Sequence, residues 1–386
     1  MADTTDPKIY TIGWICAIET EFLAAQIVLD EAFSHKDTPA VGDRDDNSYV
    51  FGRIESHNIV VAVLPHKQYG TTRAATVARD MVNSFPNVRV GLMVGIAGGV
   101  PYGKERDVRL GDVVVSCPDG SGAGGVIQFD FGKNTQNQTF RLTGHLNQPP
   151  EPLLMAVAGL KTKYRRYGHK LDEKVKQALD GEVAKTGIVE TREELGLPLD
   201  PSDRLYQCDF THEQCKGGTC GDSESEIKRD PRKVIRGSSF LIHYGLVGSS
   251  NSLVRNAVVR DRLAQDQGIL CVEMETAGLA NHFPCLAIRG ICAYSDTHTN
   301  DKWQGFAAMM AAAYAKDLIK SLPPKRVDKQ KPLADALRSE VQKDIGAVKQ
   351  DVEEIKAVIG DSAIRKWLPT TTKQGSFDSW ALASGC

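Results

Sequence analysis

Between Cys271 and Asn300 the chain reads CVEMETAGLANHFPCLAIRGICAYSDTHTN, and few architectures can house that run. Glu273, Met274 and Glu275 open it, and the small residues Thr276 to Ala280 follow as a short helix. Cys285 to Cys292 is then apolar enough for a buried strand. That strand ends in the polar loop Ser295-Asp296-Thr297-His298, so acidic ends bracket one apolar strand. In α/β proteins, ligands gather where strands deliver such loops at their carboxyl edge. A Met beside a Glu also suits a purine nucleoside, with the thioether on the flat base and the carboxylate on vicinal sugar hydroxyls. A buried helix and strand with solvated polar ends is the plainer reading of the same residues.

The rest of the chain repeats the theme. Ile9 to Ile18 reads as a buried strand and Glu19 to Leu29 as a helix, which sets Glu21 at a strand-to-helix turn. Tyr49 to Ile54 and Asn58 to Leu64 suggest a hairpin of β-branched strands. Gly70-Thr71-Thr72-Arg73 then passes from loop into helix, where free amides favour an anion. Val88 to Val94 is a further strand, ending in Gly95-Ile96-Ala97-Gly98-Gly99, a pattern of tight turning or of backbone pressed against a ligand. Val113 to Ser116 and Ile242 to Ser252 add strands, and Trp303 to Leu322 an Ala-rich helix stopped by Pro323-Pro324. Strands alternating with helices predict a mixed, twisted α/β sheet flanked by helices.

Two regions depart from this pattern. Residues 145–237 are polar and charged, with helices expected over Pro149 to Tyr167 and Lys170 to Lys185. Within them Cys208, His212, Cys215 and Cys220 place four soft ligands in thirteen residues. That spacing is not a standard zinc pattern, so no metal is assigned. The basic run through Arg232 and Arg236 is a solvated face or a phosphate contact. After residue 322, Leu337, Val341, Ile345, Val348, Val352, Ile355 and Ile359 recur at three- and four-residue steps, the pattern of a C-terminal amphipathic or coiled-coil helix.

Composition narrows the partners. A charged fraction of 25% and a formal charge of -2 give no nucleic-acid or membrane-surface signal. No stretch is apolar for long enough to span a bilayer, and MADTTDPKIY lacks the features of a secretory leader. Nine cysteines, several inside apolar runs, suit a reduced, cytoplasmic protein.

The motifs IGWICAIETEF, VGIAGGVP, RLGDVVVS, VEMETAGLA and RGICAYSDTHTN, in this order, resemble the purine and uridine phosphorylase superfamily, which includes the methylthioadenosine and adenosylhomocysteine nucleosidases. The resemblance covers about residues 8–322, with 145–237 as an insertion and 323–386 as a helical tail and linker. IHYGLVGSSN, GGVIQFDFGK and WQGFAAMMAAAYAK are similar to the N-terminal effector module of fungal NACHT and ankyrin-repeat proteins. AIRKWLP and FDSWALAS resemble the linker before a NACHT domain. Related modules cleave ATP into adenine and ribose triphosphate.

The resemblance implies a role for each matching residue. Glu21 would position the attacking water, Glu275 bind the ribose hydroxyls, and Met274 pack on base and sugar. Leu253, Val254, Ile96, Ala97 and Gly98 would surround base and sugar. Thr72 and Arg73 would approach phosphate, with Lys67, Lys104, Arg106, Arg232 and Arg236 as further candidates. No cofactor is implied, and a homo-oligomer is expected. One departure stands out: where the family has the aspartate that protonates the departing purine, this chain has Ala293, and Asp296 aligns with a second, non-catalytic acid. The resemblance therefore implies an adenine-nucleotide N-glycosidase impaired in its acid step. Alternatives are a purine nucleoside phosphorylase using inorganic phosphate and a non-catalytic nucleotide-binding or oligomerisation module.

Overall fold

The computed structural model describes residues 3–335 except 121, 135–139, 145, 212–224, 233, 236, 282, 299 and 300, and beyond them 338 and 348–355. The first compact unit ends at Asp335. Its strands are β1 (Ile12–Cys16), β2 (Glu31–Ala32), β3 (Ser48–Ile54), β4 (His57–Val63), β5 (Val90–Gly99), β6 (Val113–Ser116) and β7 (Val126–Gln128). They continue with β8 (Gly132–Asn134), β9 (Phe140–Leu142), β10 (Ile242–Gly245), β11 (Val247–Ser249), β12 (Cys271–Glu273) and β13 (Cys285–Ala293). The helices are α1 (Glu19–Val28), α2 (Thr71–Ser84), α3 (Glu151–Tyr167), α4 (Leu171–Thr186) and α5 (Glu190–Leu195). After them come α6 (Ala257–Gln267), α7 (Thr276–Leu279), α8 (Gln304–Lys320) and α9 (Pro324–Asp328).

Eleven of the strands form one mixed sheet, ordered β10-β6-β13-β5-β1-β4-β3-β2, with β12, β11 and β7 joined off this path. The hairpin of β3 and β4 is antiparallel, as the β-branched runs predict. Strands β1, β5 and β13 run parallel, and β12 turns back antiparallel along Gly98 and Gly99 of β5. That reversal carries Glu273, Met274 and Glu275 to the carboxyl ends of the parallel strands.

The glycines of β5 are not the tight turn allowed by the sequence. They stay inside the strand because other groups press on it. A Cβ on Gly95 would lie 2.2 Å from Oε1 of Glu21, and one on Gly98 2.1 Å from Oγ of Ser295. The expected strand from Ile242 to Ser252 also divides. Ile242 and Tyr244 pack toward the main core, whereas Leu246 joins a second cluster with Val100, Ala264, Ile269 and Val272. Serving two cores, the chain leaves β6 and pairs next with β12 and β7.

Helix α8 is buried along most of its length, and α3, α4 and α5 pack around it. Leu153, Leu160 and Tyr164 share one helical face, as do Leu171, Val175 and Leu179, and all enter the main core. Although polar overall, this part of the insertion is thus integral to the first unit. In the second, residues 348–355 are helical and carry Val348, Val352 and Ile355. The other heptad positions, Leu337, Val341, Ile345 and Ile359, lie outside the described residues.

Candidate active site

A cavity of about 460 Å³ opens where the ends of β1, β5, β12 and β13 meet the start of α1 and the loop Ser252–Arg255. That volume suits a small organic ligand, for which roughly 300–1,000 Å³ is typical. Its walls include Glu21, Ile96, Ala97, Gly98, Leu253, Val254, Met274, Glu275, Ala293 and Asp296, all of them expected from the sequence.

Glu21 sits in the first turn of α1 and is 3% exposed. Its carboxylate accepts hydrogen bonds from the backbone N–H groups of Ala17 (2.6 Å), Ile18 (3.2 Å) and Ile96 (2.8 Å). Only a bare Gly95 lets it lie against β5. Burial raises its pKa above the ordinary carboxyl range, against the opposing pull of Arg289 and the three amides.

Opposite it lies a buried cluster that sequence reading did not assemble. Arg289, in the middle of β13 and wholly buried, donates to Glu273 and to Oγ1 of Thr276 (3.2 Å) and lies 3.6 Å from Glu275. An arginine inside LAIRGICA was the available signal, because a buried guanidinium demands buried carboxylates. Glu273 is further held by the N–H groups of Glu275 and Thr276. Glu275 accepts from the amides of Met274 (3.3 Å) and Gly70 (3.4 Å). Gly70 can make that approach because it adopts φ 103°. The α7 backbone also comes close: a Cβ on Gly278 would meet the carbonyl oxygen of Thr71 at 1.9 Å. Thr71 in turn donates twice to Oδ1 of Asn251.

Burial, and then the charge of Glu273, push the Glu275 pKa up to about 7 despite Arg289. A folded-state value above the unfolded one of roughly 4.3 means that the native state binds the extra proton. This group's contribution to stability is therefore full below about pH 4 and is lost as pH rises through 7. Glu275→Gln is expected to flatten that slope and gain stability relative to the parent at pH 8. Urea melts at pH 5 and pH 8 test this, and an unchanged difference between the two pH values would contradict it.

Ala293 closes β13 beyond an irregularity in its pairing with β5, next to Gly98. Its methyl can neither donate a proton nor accept a hydrogen bond. Ser295 follows at φ 53°, in the left-handed region. Asp296 lines the cavity, but its carboxylate is engaged by the His298 amide (2.8 Å) and by Arg260 (3.6 Å).

The candidate phosphate ligands scatter. Lys67 lines the cavity, joined by Arg255, which sequence reading missed because one arginine in a polar loop carries no pattern. Thr72 and Arg73 are exposed on the first turn of α2 and are not among the cavity's lining residues. Arg232 is committed to Asp112 (2.5 Å) and Asp107, in a partly buried ion cluster away from the cavity. This corrects its expected role: forming that cluster uses up its charge. Lys104 pairs with Asp230, and Arg106 lies over Tyr102 with one nitrogen on the carbonyl of Ala264. Arg236 lies outside the described residues, as do His212, Cys215 and Cys220, while Cys208 is exposed. Among the described residues there is no cluster of metal-ligating side chains and no helix long and apolar enough to cross a membrane.

A mixed α/β sheet whose parallel strand ends deliver buried carboxylates to a ligand-sized cavity has its site where α/β folds commonly bind small molecules. Sequence comparison shows what the chain resembles. No protein-family model matches the chain. A nucleotide-binding leucine-rich repeat (NLR)-like protein of Hyaloscypha variabilis is 42% identical over 318 residues, covering 82% of this chain and 30% of that protein. The 5'-methylthioadenosine/S-adenosylhomocysteine nucleosidase of Mycobacterium bovis is 24% identical over 322 residues, covering 81% of this chain and 97% of the enzyme. Among solved structures, such a nucleosidase from S. pneumoniae, with a transition-state inhibitor, aligns at TM-score 0.49 and 17% identity over 81% of this chain and all of that one. The chain is thus similar in sequence to an NLR-like protein and, more distantly, to these nucleosidases. It spans about a third of the length of the NLR-like protein.

Proposed function

We propose that the chain is a purine N-ribosyl hydrolase built to take an adenine nucleotide, ATP foremost, and to release adenine and ribose triphosphate in an immunity-type role. The observation that carries this reading is the joint placement of Glu21, Met274, Glu275 and Ala293 around one cavity. Breaking the bond between ribose and base builds positive charge on the sugar and negative charge on the base, as in glycoside hydrolysis. Water adds its oxygen to the sugar carbon, and one proton must reach the departing base. Glu21, its pKa raised by burial, would accept a proton from that water. Glu275 and Met274 would hold the sugar and stack the base, and Lys67 and Arg255 offer cations at the wall for phosphates. The wall where the family has its acid carries Ala293, so the present chain binds better than it cleaves.

The test is adenine release from ATP by this chain and by Ala293→Asp, without and with inorganic phosphate. Adenine and ribose triphosphate from the variant alone support the reading. Cleavage of adenosine that requires phosphate would make the site a phosphorylase, and nucleotide binding without cleavage in either chain would make it a sensor. A cytoplasmic homo-oligomer belongs to the same reading. Light scattering of the purified chain tests the second part, with a monomer at all concentrations counting against it.

A further inference from the structure

The wall carrying Ala293, Ser295 and Asp296 is gripped from outside the cavity. Tyr294, between them, is 3% exposed and is not among the cavity's lining residues. Its hydroxyl accepts from Arg229 (2.8 Å) and from the Leu110 amide (3.3 Å) and donates to Asp203. Arg229 also pairs with Asp203 at 2.8 Å and lies over the Tyr294 ring at 5.0 Å. Farther along, the His298 ring stacks on Tyr206 at 4.2 Å and on Phe210 at 5.3 Å. Asp203, Tyr206, Phe210 and Arg229 all belong to the stretch that sequence reading set apart as an insertion. That stretch is itself moored, since Arg232 binds Asp112 and Asp112 accepts from His243 at 2.8 Å. Burial works to raise the Asp112 carboxyl, but the His243 bond and then the Arg232 pair overcome it and hold its pKa below the ordinary range.

We infer that this segment positions the cavity wall from Ala293 to Asp296, acting through the hydroxyl of Tyr294. A side chain fixed at both its ring and its oxygen sets which way its two chain neighbours face. Ser295, already in the left-handed region, has little conformational freedom to absorb an error. Tyr294 is thus a positioning residue whose effect on chemistry passes through residue 293. The catalytic arm of its test rests on the nucleosidase reading; the structural arm does not.

Tyr294→Phe removes one oxygen and leaves the Arg229–Asp203 pair intact. In the otherwise unchanged chain, the amides of residues 293–298 are expected to exchange with deuterium about tenfold faster, while those of β1 and β5 keep their rates. In the Ala293→Asp background, the same change is expected to lower kcat about tenfold with KM nearly constant, since small misplacements of a reacting group carry such penalties. Arg229→Gln should reproduce both effects, and it serves if Tyr294→Phe folds poorly. If Ala293→Asp releases no purine, the nucleosidase reading fails while faster exchange confined to 293–298 still upholds the clamp. Unchanged exchange there, or a uniform rise across the sheet, overturns the inference. So does an unchanged kcat in an active Ala293→Asp background.

Discussion

Ala293→Asp is expected to raise the rate of adenine release from ATP by roughly 10²- to 10⁴-fold, the usual contribution of a positioned general acid. The other residues to which the proposed reaction assigns roles line the same cavity. Glu21 is fixed by three backbone amides, and Glu275 and Met274 line the same cavity. Residue 293 is partly buried at the end of β13, so a carboxyl there would face the cavity in a setting that favours its protonated form. Because a general acid gives its proton only as the bond breaks, KM should change far less than kcat, which separates the loss of an acid from the loss of a binding group. Asp296 cannot substitute, being engaged by Arg260 and the His298 amide. If the parent chain releases adenine as fast as the aspartate variant, the acid must come from elsewhere and the assignment of this position fails.

Much of this was legible in the sequence because it is written locally. Period and composition place β1 and α1 within a few residues, and with them Glu21 at the turn. VEMETAGLA and the strand after it put Met274, Glu275 and Ala293 on one cavity, as their order suggests. What stayed hidden depends on partners distant in the chain. Glu273 meets Arg289 only after β12 has folded back along β5. Arg232 looked like a free cation because Asp112, 120 positions away, has no sequence mark as its partner. The glycines of β5 read as a tight turn or as backbone pressed against a ligand for the same reason. Their role is to admit Glu21 and Ser295, and neither neighbour can be seen from the strand itself.

The cluster around Arg289 should carry the largest single stability effect. Arg289→Met keeps much of the volume but leaves Glu273 and Glu275, both buried, without their cation. Removing one partner of such a group typically costs about 3–5 kcal/mol, a large share of the roughly 5–15 kcal/mol that holds a domain together. The loss should depend on pH in a definite direction. Without Arg289 the Glu275 carboxylate meets the Glu273 charge unopposed, and protonating Glu275, already raised to about 7, relieves that repulsion, so the variant should be closest to the parent near pH 5 and weakest near pH 8. Arg289→Lys should fall between, since an ammonium supplies the charge without the planar fork. Denaturant melts of these variants at both pH values measure the effect, and a loss under 1 kcal/mol at pH 8 would show that the cluster is not held by its arginine. Arg289→Met with Glu273→Gln separates structure from function. Removing the second charge should return part of the stability, and because the Glu273 charge raises the Glu275 pKa more than Arg289 lowers it, Glu275 should ionise at least as readily as in the parent. A doubly substituted chain that folds yet binds adenosine poorly would therefore mean that the arginine serves the ligand site as well as the core.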